Sequence, residues 1–574
     1  MVPPETHESD DAELRQERHF IAFLARRQSM FFLGDAFPRR NVKLDREINY
    51  KKSDPDVQHA LDQTRRKEWN NWKQFQAAHV LPPGKEQDEY LAANPDLVVI
   101  PSRWVDTDKS EDPSKPEYKS RLVARGDLEK SSSTSPVRTD SPTSSQLFLH
   151  TIISFSVCKK KKVGGGDISA AFLQGTQIKR KLALKLPADG IPDEDIPPGS
   201  LLICEKSVYG TCDTPRGFWK GLFDTLLECG LKEVPMETSA YYLPGPEGEV
   251  LGLLGTHVDG LFWCGGAEMD DVIAKVQERY KFRITNAEDS EDGIFKFCGR
   301  LISQTNDGVT ITSPGVLDRV RAIFIEPMRR KQRGLPATPA EIAQLRSVVG
   351  SLSWYSRVCR PDLAFQVNQL QAVQQKARVE DLMVANRLLN FALERRDRGV
   401  HFAADAFEFE EAIILSINGA SHAASSDATN EGHIVGHRSH SGRLLALTLK
   451  EFLETGKGKI HLLQWSSTVI KRVCRSTLQA ETLSVQLRSE DAERMRQLLY
   501  VVKNKATALK RTENFINAMD ETVVSWYTDC RSLSDHLTNV NAATVSDKRL
   551  AIDLTSLRQE LWRERGNFWK PNLQ

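Results

Sequence analysis

With 574 residues, 40% of them hydrophobic and 27% charged, the chain holds enough apolar material for several cores, which excludes a disordered or fibrous protein and predicts three or four domains. A formal net charge of +1 excludes a uniformly basic nucleic-acid binder, so any such contact must come from local patches: basic Lys159–Lys162 and Arg329–Arg333 contrast with acidic Glu288–Asp292. The cysteines at 158, 204, 212, 229, 264, 298, 359, 474 and 530 show neither CxxC spacing nor a paired His, which excludes a zinc site of that kind and fits a reducing intracellular compartment, cytoplasmic or nuclear. No apolar stretch nears the roughly 18 residues of a membrane span, and the polar, acidic start does not read as a secretion signal.

Residues 1–60 lack sustained periodicity, Phe20–Leu24 excepted, and read as a mobile arm. Over 57–79, Leu61, Trp69, Trp72 and Phe75 recur at helical spacing, which makes these aromatics core rather than base-stacking groups. Strands are expected at Leu97–Val105 and Tyr118–Gly126, on either side of a turn with Asp112-Pro113 and Lys115-Pro116. Leu128–Ser145 is a Ser/Thr-rich loop before an apolar helix at Leu147–Val157. Lys159–Lys162 then reads either as a solvated loop or as a nuclear localisation signal. The glycines 164–166 permit close backbone approach, and Asp167 falls where a strand passes into a helical turn, as a cap or as a catalytic acid.

The apolar run Leu251–Thr256 leads into His257-Val258-Asp259-Gly260 and is answered by Leu261-Phe262-Trp263. This pattern predicts a hairpin that lifts one carboxylate to its tip between buried strands, a suitable place for a metal ligand. Further on, Thr338-Pro339-Ala-Glu341 opens a helical region over 336–400 with a capping box. From about 408 the chain becomes strand-rich, with Ala412–Ile417, His437–Leu447 and a strand from Leu462, then a long helix from Ser476–Glu481 and a strand Val523–Asp529 ending in an acid, an α/β pattern.

Taken in order, Tyr118–Gly126, Asp167–Gly175, Lys206–Arg216, His257–Asp259, Phe297–Arg300, and Leu345–Leu352 with Arg360–Ala364 resemble the reverse transcriptase of Ty1/copia-type LTR retrotransposons. The resemblance runs over roughly residues 65–370, and residues 408 onward resemble the RNase H domain that follows it. It implies an α+β multidomain chain: a right-hand polymerase with fingers, palm and thumb, then an α/β RNase H-like domain. The corresponding division is an arm at 1–60, fingers and palm at 61–335, a helical thumb or connection at 336–405 and the RNase H-like domain at 406–574. It implies RNA-directed DNA synthesis on an RNA template and DNA primer, with deoxynucleoside triphosphates as substrates, RNA–DNA hybrid as nuclease substrate and Mg2+ or Mn2+ as cofactor. No membrane partner is expected.

Two metal ions about 4 Å apart need carboxylates to offset their charge. By the resemblance, Asp167 and Asp259 supply them in the polymerase, and Glu481, Asp529 and Asp553 in the nuclease, with Glu481 and Asp529 as metal ligands. The family carries a second aspartate after the first at the hairpin tip, where this chain has Gly260. Either that acid is substituted, or it is deleted and the glycine belongs to the next strand, which would exchange that strand's inward and outward faces. Asp270 and Asp271 lie too far along to replace it. Gly419 likewise stands where the family has the first nuclease acid, and Asp427 replaces it only if the strand runs further. Weakened two-metal sites are therefore expected, in a degenerate copy of the enzyme or an inactive remnant that keeps the fold.

Lys119 and Arg121 resemble cations that grip an incoming triphosphate, or are solvated strand residues. Phe172 matches the aromatic gate beneath the sugar, or is core. Asp213, where Gln is common, is unhelpful next to a nucleotide. Arg329–Arg333 reads as a nucleic-acid track or a solvated linker. With no aspartic-protease motif and no zinc-binding cluster ahead of it, the chain reads as the C-terminal half of a polyprotein or as a remnant translated alone.

Overall fold

The computed structural model describes residues 47–110, 115–129, 139–178, 180–192, 194–286, 293–318, 320–421, 439–487, 489–503, 522–539 and 545–562. Phe20–Leu24, Glu288–Asp292 and Asp427 lie outside them. With strands and helices numbered in chain order, two compact units emerge: residues 1–130 with 180–204, and residues 131–179 with 205–574.

The first unit holds α1 (Pro55–Gln74), β1 (Ala78–Leu81), α2 (Lys85–Ala93), β2 (Val98–Asp108), β3 (Tyr118–Ala124), β5 (Leu182–Lys185) and β6 (Leu201–Cys204). Its sheet has the order β1-β6-β5-β2-β3, with β2 parallel to β5. Helix α1 starts at Pro55, within the span expected to be an arm, because proline in the first helical turn loses no hydrogen bond there. It buries Leu61, Trp69 and Trp72, so these aromatics are core. Arg65 on the same helix is also buried and makes a two-point ion pair with buried Asp106 of β2, at 2.5 and 3.2 Å, while Tyr50 lies 4.0 Å beneath its guanidinium. On β3 the two-residue period sends Ser120, Leu122 and Ala124 inward and leaves Lys119 and Arg121 exposed.

The second unit is organised around α3 (Gln146–Cys158), mostly apolar and buried on all sides from Leu147 to Cys158. Ser145 caps it by accepting the Phe148 N–H. Next come β4 (Lys162–Ile168), α4 (Thr214–Glu228), β7 (Lys232–Glu233), β8 (Ala240–Pro244), β9 (Val250–His257), β10 (Gly260–Gly265), α5 (Ala267–Arg279) and β11 (Phe282–Asn286). They form a sheet of order β11-β4-β10-β9-β8-β7. Strand β10 is buried throughout and shares its side chains between two cores: Leu261 and Trp263 join Phe218, Leu222 and Val276 of α4 and α5, while Phe262 and Cys264 join α3. Glycine is required in β4, since a Cβ on Gly166 would come within 2.8 Å of the Phe282 ring.

A second sheet, β12 (Ile294–Phe297), β13 (Arg300–Thr305), β14 (Gly308–Thr312) and β15 (Val400–Ala403), brackets the helices α6 (Pro327–Arg330), α7 (Pro339–Val358), α8 (Ala364–Val373) and α9 (Val379–Glu394). The expected capping box is present in both directions, with Glu341 N–H donating to Thr338 Oγ1 at 3.2 Å and Thr338 N–H to Glu341 Oε2 at 2.7 Å.

The third sheet consists of β16 (Ile413–Ser421), β17 (His440–Thr448), β18 (His461–Val469) and β19 (Val524–Tyr527) in the order β18-β17-β16-β19, with β19 parallel to β16. Helices α10 (Glu451–Thr455), α11 (Thr477–Gln486), α12 (Ser489–Lys503), α13 (Arg531–Thr538) and α14 (Lys548–Trp562) complete it. The long helix expected from Ser476 is thus two, α11 and α12. Strand β18 packs on α3, where His150 Nδ1 meets Leu463 O at 2.8 Å and Ser154 Oγ meets His461 Nδ1 at 2.7 Å.

Candidate active site

Strands β9 and β10 are joined by the shortest hairpin, with His257 paired to Gly260 and only Val258 and Asp259 between them. Val258 has φ +57°, the left-handed region that such a turn demands at its first central position and that a β-branched residue resists. The tip therefore holds Asp259 in a fixed, half-buried position. Gly260 is the first residue of β10 and pairs on its other side with Asp167 of β4, while Ile168 N–H donates to the Asp259 carbonyl at 2.9 Å. Two of the expected acids, Asp167 and Asp259, thus meet at one end of adjoining strands. Cross-strand partners project to the same face, so a carboxylate at 260 would stand beside Asp167. Because Leu261, Phe262, Trp263 and Cys264 are all apolar and buried, the packing of β10 is compatible with substitution and with deletion. Asp270 and Asp271 lie on α5, away from the tip in sequence and structure.

A second tight turn borders these acids. Phe297 pairs with Arg300, and the central residues Cys298 and Gly299 have φ +46° and +74°. Burial, to which Asp259 and Asp167 add while Arg300 opposes, pushes the Cys298 thiol up to about 11, so it stays protonated at neutral pH. Phe297 closes the space over Gly260: a Cβ there would lie 3.1 Å from the Phe297 ring. Arg300 donates to Cys298 O at 3.3 Å, and its buried Nε finds no partner among the described residues.

Lys119 and Arg121 belong to the first unit, on the exposed face of β3, with Glu68 and Lys109 acting electrostatically on Lys119. Phe172 is half-buried in a helical turn and meets Tyr209 at 5.4 Å and Phe218 at 6.0 Å, so it belongs at least to the aromatic core. Asp213 occupies the N-cap position of α4 without bonding through its side chain there.

Around the third sheet, Ile417 pairs with Tyr527 across the parallel strands, and continuing this register sets Gly419 level with Asp529. The position is roomy, with nothing within 4 Å of a Cβ on Gly419. Glu481 on α11 turns toward the strand and accepts the Ala420 N–H at 2.8 Å. Burial raises it to about 7, the Ala420 bond opposes that shift, and Asp529 adds to it. Asp553 on α14 is engaged elsewhere, 3.1 Å from Arg472 in an ion pair. Glu481 and Asp529 are therefore brought together, and Asp553 carries its own counter-charge. Among the described residues, no group of three or more His, Cys, Asp or Glu side chains is arranged to hold a metal ion.

Sequence reasoning places Phe297–Arg300 among the ordered motifs but gives Phe297 and Cys298 no role, and it misses Arg472. The Cys-Gly turn left a weak signal, since adjacent left-handed residues favour glycine. Arg472 left none, because its partner Asp553 is 81 residues away.

Residues 90–324 match the model of the family described as reverse transcriptase (RNA-dependent DNA polymerase). Two retrovirus-related Pol polyproteins of Arabidopsis thaliana, from transposons RE2 and RE1, are each 24% identical over 405 residues, covering 68% of this chain and 25% of the relative. The chain thus spans about a quarter of the length of the curated relatives it matches. A solved foamy viral protease–reverse transcriptase in complex with double-stranded DNA aligns at a TM-score of 0.45 and 12% identity, over 94% of this chain and 83% of that one. The segment that carries the hairpin is similar to the reverse transcriptases. More particularly, the chain is similar to part of the Pol polyproteins of copia-type retrotransposons.

Proposed function

We infer that this chain is an RNA-directed DNA polymerase region with an RNase H-like C-terminal part, in which template binding has outlasted efficient turnover. The pairing of Gly260 with Asp167, next to Asp259, carries this reading: two acids remain and the position beside them has no ligand. On this reading the first unit supplies the fingers, the β11-β4-β10-β9-β8-β7 sheet the palm, α7–α9 the thumb or connection, and β16 through α14 the RNase H-like domain. RNA template, DNA primer and their hybrid are the partners, and Lys119 and Arg121 grip the triphosphate.

Two carboxylates suit one octahedral cation, Mg2+ or Mn2+, that completes its shell with water and substrate phosphates, so Asp167 and Asp259 would hold one ion. When bound, such an ion polarises the phosphoryl oxygen and lowers the pKa of the attacking hydroxyl. The protein's own part is to aim both carboxylates from a rigid sheet end and to exclude water beneath Gly260 with Phe297. The C-terminal acids are partly engaged: Glu481 gives Oε1 to a backbone N–H while its Oε2 has no hydrogen-bond partner among the described residues, and Asp553 pairs with a guanidinium. A binding remnant without nuclease activity is therefore the reading favoured there.

Primer extension of oligo(dT) on poly(rA) with Mg2+ or Mn2+, beside anisotropy of a labelled RNA–DNA hybrid, tests this. Hybrid binding with extension at least about ten-fold below that of Gly260→Asp is expected. Efficient extension by the chain as it stands, or no hybrid binding, would overturn the reading.

A further inference from the structure

An exposed aromatic ring is held on a rigid, cation-rich segment between the second sheet and α7. In Ile323-Phe324-Ile325, Ile323 and Ile325 are 2% and 1% exposed, whereas Phe324 is 71% exposed. The backbone cannot easily roll the ring inward. Ile323 N–H donates to Asn386 Oδ1 at 2.8 Å, Asn386 Nδ2 donates back to Ile323 O at 2.9 Å, and Phe324 N–H donates to Gln344 Oε1 at 2.9 Å. Arg330, itself exposed, donates through Nε to Ile325 O at 3.1 Å, next to the ring-bearing residue.

Charge decides what such a ring would meet. Arg329 is neutralised by Glu341 at 2.9 Å, but among the described residues Arg321, Arg330, Lys331 and Arg333 form no ion pair, and all four are exposed. Glu326 is the one carboxylate within the segment Arg321–Leu335. An acidic peptide would match this charge but offers no flat ring at each step, and duplex nucleic acid keeps its bases stacked inside. A single strand offers both a phosphate and an open base face at every step.

We propose that Phe324 is a stacking platform for a base of single-stranded nucleic acid, with Arg330 beside it and Arg321, Lys331 and Arg333 along the phosphates. The inference rests on the reading above for the class of polymer the chain meets, and goes beyond it in locating a site outside the acids and the fingers.

Fluorescein-labelled oligo(dT) and oligo(rU), titrated with the full chain by anisotropy, test the site. Phe324→Ala should weaken binding by about five-fold to a hundred-fold, the range of one lost base stack, while Phe324→Trp retains it. Arg330→Gln should weaken binding and lower the slope of log affinity against log salt by about one contact. Because the ring is exposed, the melting temperature should not move, which separates lost binding from lost folding. Unchanged affinity in Phe324→Ala overturns the proposal, as does absence of oligonucleotide binding by the parent chain, or loss of self-association in the variant without loss of oligonucleotide. If the parent chain extends primers and Phe324→Ala binds normally, this site alone fails. Phe324-dependent binding without any primer extension leaves the site standing and removes the polymerase reading.

Discussion

Gly260 stands directly across from Asp167 in the β10–β4 pair, with Asp259 immediately before it at the hairpin tip. A side chain at 260 would project beside Asp167, so Gly260→Asp should add a carboxylate to the existing two. The Phe297 ring, 3.1 Å from the new Cβ, must give by a few tenths of an ångström. Extension should rise about ten-fold or more, and Gly260→Ala, which meets the same ring, should show no gain. Equal rates for the two variants in a primer-extension assay would refute the assignment of this position.

Gly419 presents the opposite steric case. With open space around its Cβ, Gly419→Asp should fold normally, yet it adds a negative charge level with Asp529 and near Glu481. A divalent ion should therefore raise the melting temperature of Gly419→Asp more than that of the parent chain. Adding Arg472→Ala, which frees Asp553, should widen the difference, while by itself that partly exposed ion pair is worth only about 0–1 kcal/mol. A Mn2+-dependent shift of the same size in the parent chain would count against the closed C-terminal site.

The junction of α3 with β18 sets an acid limit on stability. Burial foremost lowers His150 to about 3 and His461 to about 4, both from 6.5. For groups with depressed folded pKa values, the stabilisation is complete above the unfolded value and is lost as pH falls from 6.5 toward 4. At pH 5 each should cost about 2 kcal/mol. Urea titrations at pH 7.5 and pH 5 should show this loss, with a smaller one in His461→Gln.

Glu481 works in the opposite sense. Its folded pKa is raised to about 7 from 4.5, so its contribution is full below 4.5 and is lost as pH rises through 7. Glu481→Gln, neutral at every pH, should gain stability relative to the parent chain at pH 8 and little at pH 5. A stability difference that does not change between those two pH values would show that Glu481 is charged throughout.

In the first unit, the ion pair of Arg65 and Asp106 is almost fully buried. Asp106→Ala leaves a guanidinium that is 2% exposed with Asp189, 3.8 Å away, as its remaining counter-charge among the described residues and should cost up to about 3–5 kcal/mol, seen as an early thermal transition. Replacing both partners with apolar residues of similar volume should recover much of that loss.

The local rules were legible in the chain itself. The Thr338–Glu341 capping box, the mostly apolar α3, the Trp69 and Trp72 core positions and the two-residue hairpin at Asp259 each depend on neighbours within a few residues, where periodicity and capping chemistry act. Motif order sufficed for the polymerase resemblance and for naming Asp167 and Asp259 as a pair.

What the sequence left open was decided by partners far along the chain. Which residue faces Asp167 depends on the register of Gly260 in β10, and the room for a replacement acid depends on Phe297 at one site and on empty space at the other. Spacing could nominate Glu481 and Asp553 as ligands. Only tertiary packing engages them with Ala420 and Arg472, because desolvation and ion pairing are set by what surrounds a carboxylate in space and not by its place in a motif.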